Sequence, residues 1–320
     1  MSILARINNS MAHQSKQGIQ TWLILIGLVF VWGSSFILIK KSLLYFSDIE
    51  VGLLRITITF LFLLPMAIKR IGKINKKYIF LLTISGIIGS VIPALLFAIA
   101  ETGIDSSLAG TLNSLTPLFT LIIGISFFKI HTRWFNVLGL LIGLTGALGL
   151  IWVSADDQFS VNMIYSSLVV IASICYAINV NLVKTYFHEI NSVDITVLTF
   201  FFVGIPTFLY VLFFTKIPTA LIHDSTVWEG IGYLSILSIV GTGLALIAFN
   251  KLIKLSSPIF ASSVTYLIPI VAILWGVSDG ETFKVSFFVW ILLILIGVFL
   301  VNAKPYSRLN LSSRILFWKK

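Results

Sequence analysis

Long apolar runs separated by short polar interruptions set the pattern of this chain. Ten such runs are read, at 22–39, 51–68, 78–100, 107–128, 135–153, 161–183, 194–214, 230–250, 258–277 and 285–302. A helix crossing the hydrocarbon core of a bilayer needs about 20 mainly apolar residues. Strands of a membrane barrel would instead show short segments of alternating polarity. The first run lacks a small-x-small cleavage site and nine more follow it, so it reads as a retained span. The predicted fold class is an all-α integral membrane protein with ten transmembrane helices.

Composition agrees with the pattern. Of the 320 residues 58% are hydrophobic and 11% are charged, against about 25% charged in soluble domains. The net charge of +10 raises nucleic acid as a partner. The basic residues fall in short clusters between apolar runs, however, which suits an anionic membrane surface and argues against nucleic acid. With both termini in the cytoplasm, most of the 22 Lys and Arg residues lie on the inner side, including Lys69, Arg70, Lys73, Lys76 and Lys77. Lys40, Lys41, Lys216 and Lys284 lie outside. The positive-inside rule favours this multi-pass topology in a cell membrane. Cys175 is alone and the four histidines are scattered in tails and loops, so no disulfide framework, metal site or cofactor is called for. Either Met1 or Met11 serves as the start in this reading.

Self-comparison adds an internal repeat. At an offset of 152, "GSVIPALLFAIA" from Gly89 lies over "GTGLALIAFNKL" from Gly241, pairing Gly89 with Gly241, Ser90 with Thr242 and Phe97 with Phe249. The same offset sets Pro117 over Pro269. At an offset of 144, Trp32 meets Tyr176, Ser35 meets Asn179, Lys40 meets Lys184 and Glu50 meets Asp194. Each repeat holds five spans, an odd number, so the second enters the membrane in the opposite sense. The expected organisation is a tail at 1–21, two inverted five-helix repeats at 22–153 and 161–302, and a basic cytoplasmic tail at 303–320. Inverted repeats are a property of secondary transporters, whose related halves exchange conformations around a central site.

These residues carry a resemblance. "WGSSFILIKKSL" from Trp32, Arg55 in "VGLLRITITF", the proline segments "LNSLTPLFTLIIG" and "VTYLIPIVAILWG", and Gly280-Glu281 resemble the drug/metabolite transporter superfamily, in its branch with two EamA domains. The resemblance covers about residues 22–302. It implies a ten-helix exporter or exchanger of small metabolites with a central cavity, and it implies no particular substrate. Two positions depart from the family pattern. Lys129 stands where the first half should match Glu281, and "FSDIEVGLLR" lacks the proline common before the second span.

Candidate substrate contacts are the polar and aromatic residues inside the spans. Ser34 and Ser35, beside Gly33, serve either close helix packing or the cavity wall. Trp32, Phe36 and Lys40 share one helical stripe, and Tyr176 and Lys184 repeat it. Asn113 and Ser114 precede Pro117, and Thr265 and Tyr266 precede Pro269. A proline removes a backbone donor and frees a carbonyl one turn earlier, so both sites read as helix breaks supported by side chains or open to substrate. Asn179, Asn181 and Asn250 are costly in lipid and point to the bundle interior. Arg55, one turn inside its span, snorkels to the headgroups, ties helix ends together or contacts an anion. Lys40 with Glu50 and Lys184 with Asp194 are candidate gates at the two mouths. No carboxylate lies at mid-membrane; Glu101 comes nearest.

The functional expectation is a secondary transporter that exports or exchanges amino acids or similar neutral, zwitterionic or amphipathic metabolites by alternating access. Its partners are the lipid bilayer and a small-molecule substrate, with a homodimer left open. A channel and a membrane-embedded enzyme are the alternatives. The spans carry no visible nucleophile-base pair or paired carboxylates, so the protein is expected not to be an enzyme.

Overall fold

The computed structural model describes residues 3–130, 133–154, 159–280 and 286–302. Glu281, Lys284 and the 303–320 tail lie outside them. The described residues form helices and turns, with no strand. The main helices are α1 (Ile3–Ser42), α2 (Asp48–Ile68), α3 (Lys76–Ala100), α4 (Ser106–Phe128) and α5 (Trp134–Ser154). They continue with α6 (Phe159–Tyr186), α7 (Ser192–Phe214), α8 (Val227–Leu255), α9 (Pro258–Ser278) and α10 (Phe287–Asn302). Eight of these, all except α5 and α10, are long and apolar enough to cross a membrane among the described residues. The shorter apolar stretches Trp134–Gly146 and Phe288–Gly297 lie in α5 and α10. The eight agree with the runs read from sequence to within a turn or so, although α1 also extends back through most of the expected tail.

The molecule is apolar outside and partly polar inside. Phe30, Phe127, Trp152, Phe213 and Phe214 are exposed, while Ser42, Thr59, Ser114, Asn181 and Ser238 are buried. Water would penalise that exposed apolar surface, whereas a lipid surrounding accepts it. Lipid cannot satisfy the interior polar groups, and the helices supply partners for many of them. Thr59 Oγ1 lies 2.8 Å from its own turn's Arg55 carbonyl and 3.0 Å from the Ser238 carbonyl of α8. Asn181 Nδ2 donates to the Thr120 carbonyl of α4 at 3.0 Å, and Asn250 Nδ2 donates to Thr196 Oγ1 at 3.0 Å.

The packing order has a simple form. α1 packs on α8 and α9, and α6 packs on α3 and α4. α2 packs on α7, α5 on α10, and α4 on α9. Exchanging helices 1–5 with 6–10 leaves these pairings unchanged. The α5–α10 seam is the tightest, because glycines bring two backbones together. A Cβ on Gly297 would stand 2.5 Å from the Gly143 nitrogen and 2.6 Å from the Gly139 oxygen, and one on Gly146 would stand 2.8 Å from the Trp290 carbonyl oxygen. Backbone atoms cannot yield as a flexible side chain can. Gly297→Leu should therefore destabilise the detergent-solubilised protein by about 1–3 kcal/mol, seen as a lowered thermal midpoint. Gly72→Ala, where a Cβ meets nothing within 4 Å, should stay within about 0.5 kcal/mol of the parent.

Candidate functional site

Two helices are distorted at matching places. α3 contains a π-helical turn at Ile87–Val91, and α8 contains one at Ile239–Leu244. Their starts are separated by the same 152 residues that relate the two sequence segments. A π turn holds an extra residue and disturbs the regular ladder, and such turns concentrate at functional sites. Each turn carries a glycine followed by a hydroxyl residue, Gly89-Ser90 in α3 and Gly241-Thr242 in α8.

The glycines admit a polar side chain from the opposite half. A Cβ on Gly89 would collide with the Asn179 amide of α6, and one on Gly241 would stand 3.0 Å from Ser35 Oγ of α1. Ser35 and Asn179 are themselves aligned in the repeat. Trp32 adds to the seam by donating its Nε1 hydrogen to the Gly241 carbonyl at 2.9 Å. Ser85 Oγ lies 2.6 Å from Asn179 Oδ1, which leaves that amide a fixed orientation.

A cavity with about 80 Å³ of free room opens between the π turns. Its wall contains both members of seven aligned pairs. Trp32 with Tyr176, Ser35 with Asn179 and Phe36 with Val180 come from α1 and α6. Gly89 with Gly241, Ser90 with Thr242 and Phe97 with Phe249 come from α3 and α8, and Asn113 with Thr265 from α4 and α9. The aromatic groups interlock. Phe97 stacks on Tyr176 with centroids 6.0 Å apart and meets the edge of Phe36 at 5.6 Å, while Trp32 meets Phe249 at 4.8 Å.

Arg55 breaks the twofold likeness. Its aligned position in the second half, at the 144 offset, is Thr199. The side chain is 9% exposed and lines the cavity, with Nε donating to Thr242 Oγ1 at 2.8 Å. Snorkelling to the headgroups is thereby corrected, since the guanidinium turns inward and bonds to a π turn of the other half. Tyr176 and Glu101 lie within electrostatic reach of it.

The structure brings together Trp32, Ser35, Phe36, Arg55, Asn113, Tyr176, Asn179 and Thr265 of the sequence candidates. It places Ser34, Ser114, Asn181 and Tyr266 elsewhere. Ser34 Oγ accepts from Trp275 Nε1 at 2.8 Å on the α1–α9 contact. Ser114 is fully buried against the Thr111 carbonyl, Asn181 ties α6 to α4, and Tyr266 packs against Gly143 of α5. Of the two prolines, Pro117 follows a true interruption of α4 at Ser114–Leu115. There the Asn113 carbonyl, deprived of its proline donor, lies 2.7 Å from Thr116 Oγ1. Pro269 lies inside Val264–Ser278, and α9 is interrupted earlier, at Ser263, which corrects its reading as the break. Sequence reasoning passed over Ser90, Thr242, Phe97 and Phe249 as contacts, although the self-comparison had already aligned them.

The gate pairs form with other partners. Glu50 closes the capping box of α2 with Ser47, so it is already committed, and Lys40 instead meets Asp279, just past the end of α9, at 2.9 Å. Lys41 pairs with the same carboxylate. Lys184 donates to the Ile253 and Ser256 carbonyls at 3.0 and 2.6 Å, capping the end of α8, while Asp194 pairs with Arg70. Tyr78 and Lys77 both contact Glu189. The contacts of Lys40 and Lys41 with Asp279, of Arg70 with Asp194, and of Tyr78 and Lys77 with Glu189 run between the halves, at opposite ends of the bundle. The Lys41 and Lys40 ammonium groups hold the Asp279 carboxyl below the usual carboxylate range, and Tyr78 and Lys77 do the same for Glu189.

An uncharacterized transporter of Archaeoglobus fulgidus is 24% identical over 286 residues, covering 88% of this chain and 99% of that one. A solved crystal structure shares the fold with a TM-score of 0.65 at 15% identity, covering 92% of this chain and 98% of its own. The EamA-like transporter family matches residues 20–152 and again 163–303. With nearly its whole length accounted for by those two matches, the chain belongs to the EamA-like transporter family.

Proposed function

We propose that this multi-pass membrane transporter is a secondary carrier that exports or exchanges small organic metabolites by alternating access. The observation carrying this reading is the cavity wall, in which seven repeat-aligned pairs surround one space between two distorted helices. A site shared by two related halves can be opened to either side by moving one against the other. In this reading α5 and α10 also cross the bilayer, making ten spans in two inverted repeats, with both ends of the membrane region on the cytoplasmic side. The Arg70, Lys77 and Lys184 end is then the inner mouth, and the Lys40, Lys41 and Asp279 end the outer.

The cavity favours neutral, zwitterionic or amphipathic metabolites such as amino acids over sugar phosphates. Its aromatic groups suit an apolar body, and Arg55 is the only charged side chain among the described lining residues. A doubly charged phosphate needs more cationic partners than that. Metabolite profiling of cells with and without the protein should show loss of zwitterionic or amphipathic compounds to the medium. Preferential release of phosphorylated sugars would contradict the substrate class. In proteoliposomes, uptake should saturate and accelerate with substrate on the far side; linear, unaccelerated flux would favour a channel.

Ion pairs between halves bias the exchange if they open with the mouths. Exposed pairs contribute only about 0–1 kcal/mol each, enough to shift a balanced equilibrium. In a Cys175→Ser background, Asp279→Asn should raise outward accessibility of a cavity cysteine, and Arg70→Gln inward accessibility. Shifts in the same direction from both would sink the paired-end account. Because Asp279 has a lowered carboxyl pKa, its clasp is intact above the ordinary carboxylate range of about 4 and weakens as pH falls below it. Accessibility should therefore stay constant from about pH 6 to 8 as far as this clasp is concerned.

A further inference from the structure

We propose that Arg55 is the carboxylate anchor of the cavity, and that it makes the protein selective for apolar-bodied monocarboxylates over their neutral isosteres. This deepens the carrier reading and rests on the same cavity. The argument begins with the hydroxyl of Thr242. It lies 3.0 Å from the Leu237 carbonyl, five residues back in the π turn, so its hydrogen is directed there. Its oxygen is then left to accept from Arg55 Nε at 2.8 Å. That chain of two hydrogen bonds fixes the guanidinium plane and commits only one edge of it.

The remaining Nη groups carry four N–H donors in a planar fork. A carboxylate matches such a fork with two parallel bonds, and a carboxamide of the same shape cannot accept through both of its atoms. Burial strengthens the distinction, because a guanidinium taken out of water gains most from a partner that restores both charge and hydrogen bonds. Glu101 lies within electrostatic reach and offsets part of the Arg55 charge, which disfavours a ligand carrying more than one negative charge. Tyr176 also lies near Arg55, and it stacks on Phe97. A ligand held by its carboxylate thus has its apolar body directed along that aromatic wall. The second half has Thr199 in the aligned position, so the cavity has one anchor and binds the carboxylate in one orientation.

The test is equilibrium binding to the full chain purified in detergent, read as dose-dependent thermal stabilisation. The probes are 3-phenylpropionate, 3-phenylpropionamide and phenyl phosphate. The parent should bind the carboxylate about 10-fold to 100-fold more tightly than the amide, the range expected for hydrogen bonds to a charged group. Arg55→Gln should reduce that ratio to about twofold or less. Arg55→Lys keeps the charge without the fork, and Thr242→Val keeps the fork without its fixed plane; both should fall between. The proposal is overturned if the parent binds the amide as tightly as the carboxylate, is not stabilised by the carboxylate at all, or prefers phenyl phosphate. It is equally overturned if folded Arg55→Gln keeps the preference. Should that variant fail to fold, an undiminished preference in both Arg55→Lys and Thr242→Val overturns it. Since no transport is measured, a protein that binds through Arg55 yet moves nothing in vesicles would refute the carrier and leave the anchor standing.

Discussion

A polar side chain set against bare backbone joins the two halves at the cavity. Ser35 lies over Gly241 and Asn179 over Gly89, each crossing from a regular helix to a π turn. The contact depends on the absence of a Cβ, and the backbone irregularity depends in turn on having partners for its displaced groups. Trp32 meets one of those needs by bonding to the Gly241 carbonyl, and Thr242 meets another through Leu237. Remove the glycines and the interior could still be filled with apolar side chains, but it would lose the polar surface that a metabolite can contact.

Surroundings of low polarity sharpen this constraint. Interior hydroxyls turn back onto carbonyls of their own helix, as Thr120 and Thr111 do, and so make no demand on lipid. Groups held across the seam are different in kind, because they keep their partners only while the halves keep their relation. Arg55 is the strongest of these. A buried cation bonded to a π turn of the opposite half ties the cavity wall directly to the junction between the halves.

Much of this arrangement is legible in the sequence. Apolar run lengths give the main helices, and the two offsets that align Trp32 with Tyr176 and Gly89 with Gly241 identify the residues around the cavity, even where they were not chosen as contacts. What was not legible is direction around the helix axis. Ser34 and Ser35 are neighbours with the same chemistry, yet only Ser35 lines the cavity, because a step of one residue turns the side chain by about 100°. Asn179 and Asn181 separate for the same reason. The ion pairs were misread because a lysine and an acid close in sequence invite pairing, whereas Glu50 was already used by the capping box. The π turns have no local signature in one sequence, and they determine which faces of α3 and α8 line the cavity.

That extra residue in each turn acts as a phase shift. An α-helix keeps one face in line through its whole length, whereas α3 and α8 are each built of two segments out of step with one another. The part of α8 before Ile239 presents one set of faces, and the part carrying Phe249, Asn250 and Lys254 presents another. Shortening the turn by one residue would leave the composition of the helix almost unchanged and rotate everything beyond it by about 100°. Phe249 would leave the cavity, and Asn250 would lose Thr196 in the same movement. The length of these two turns therefore shapes the cavity wall as much as any side chain on it.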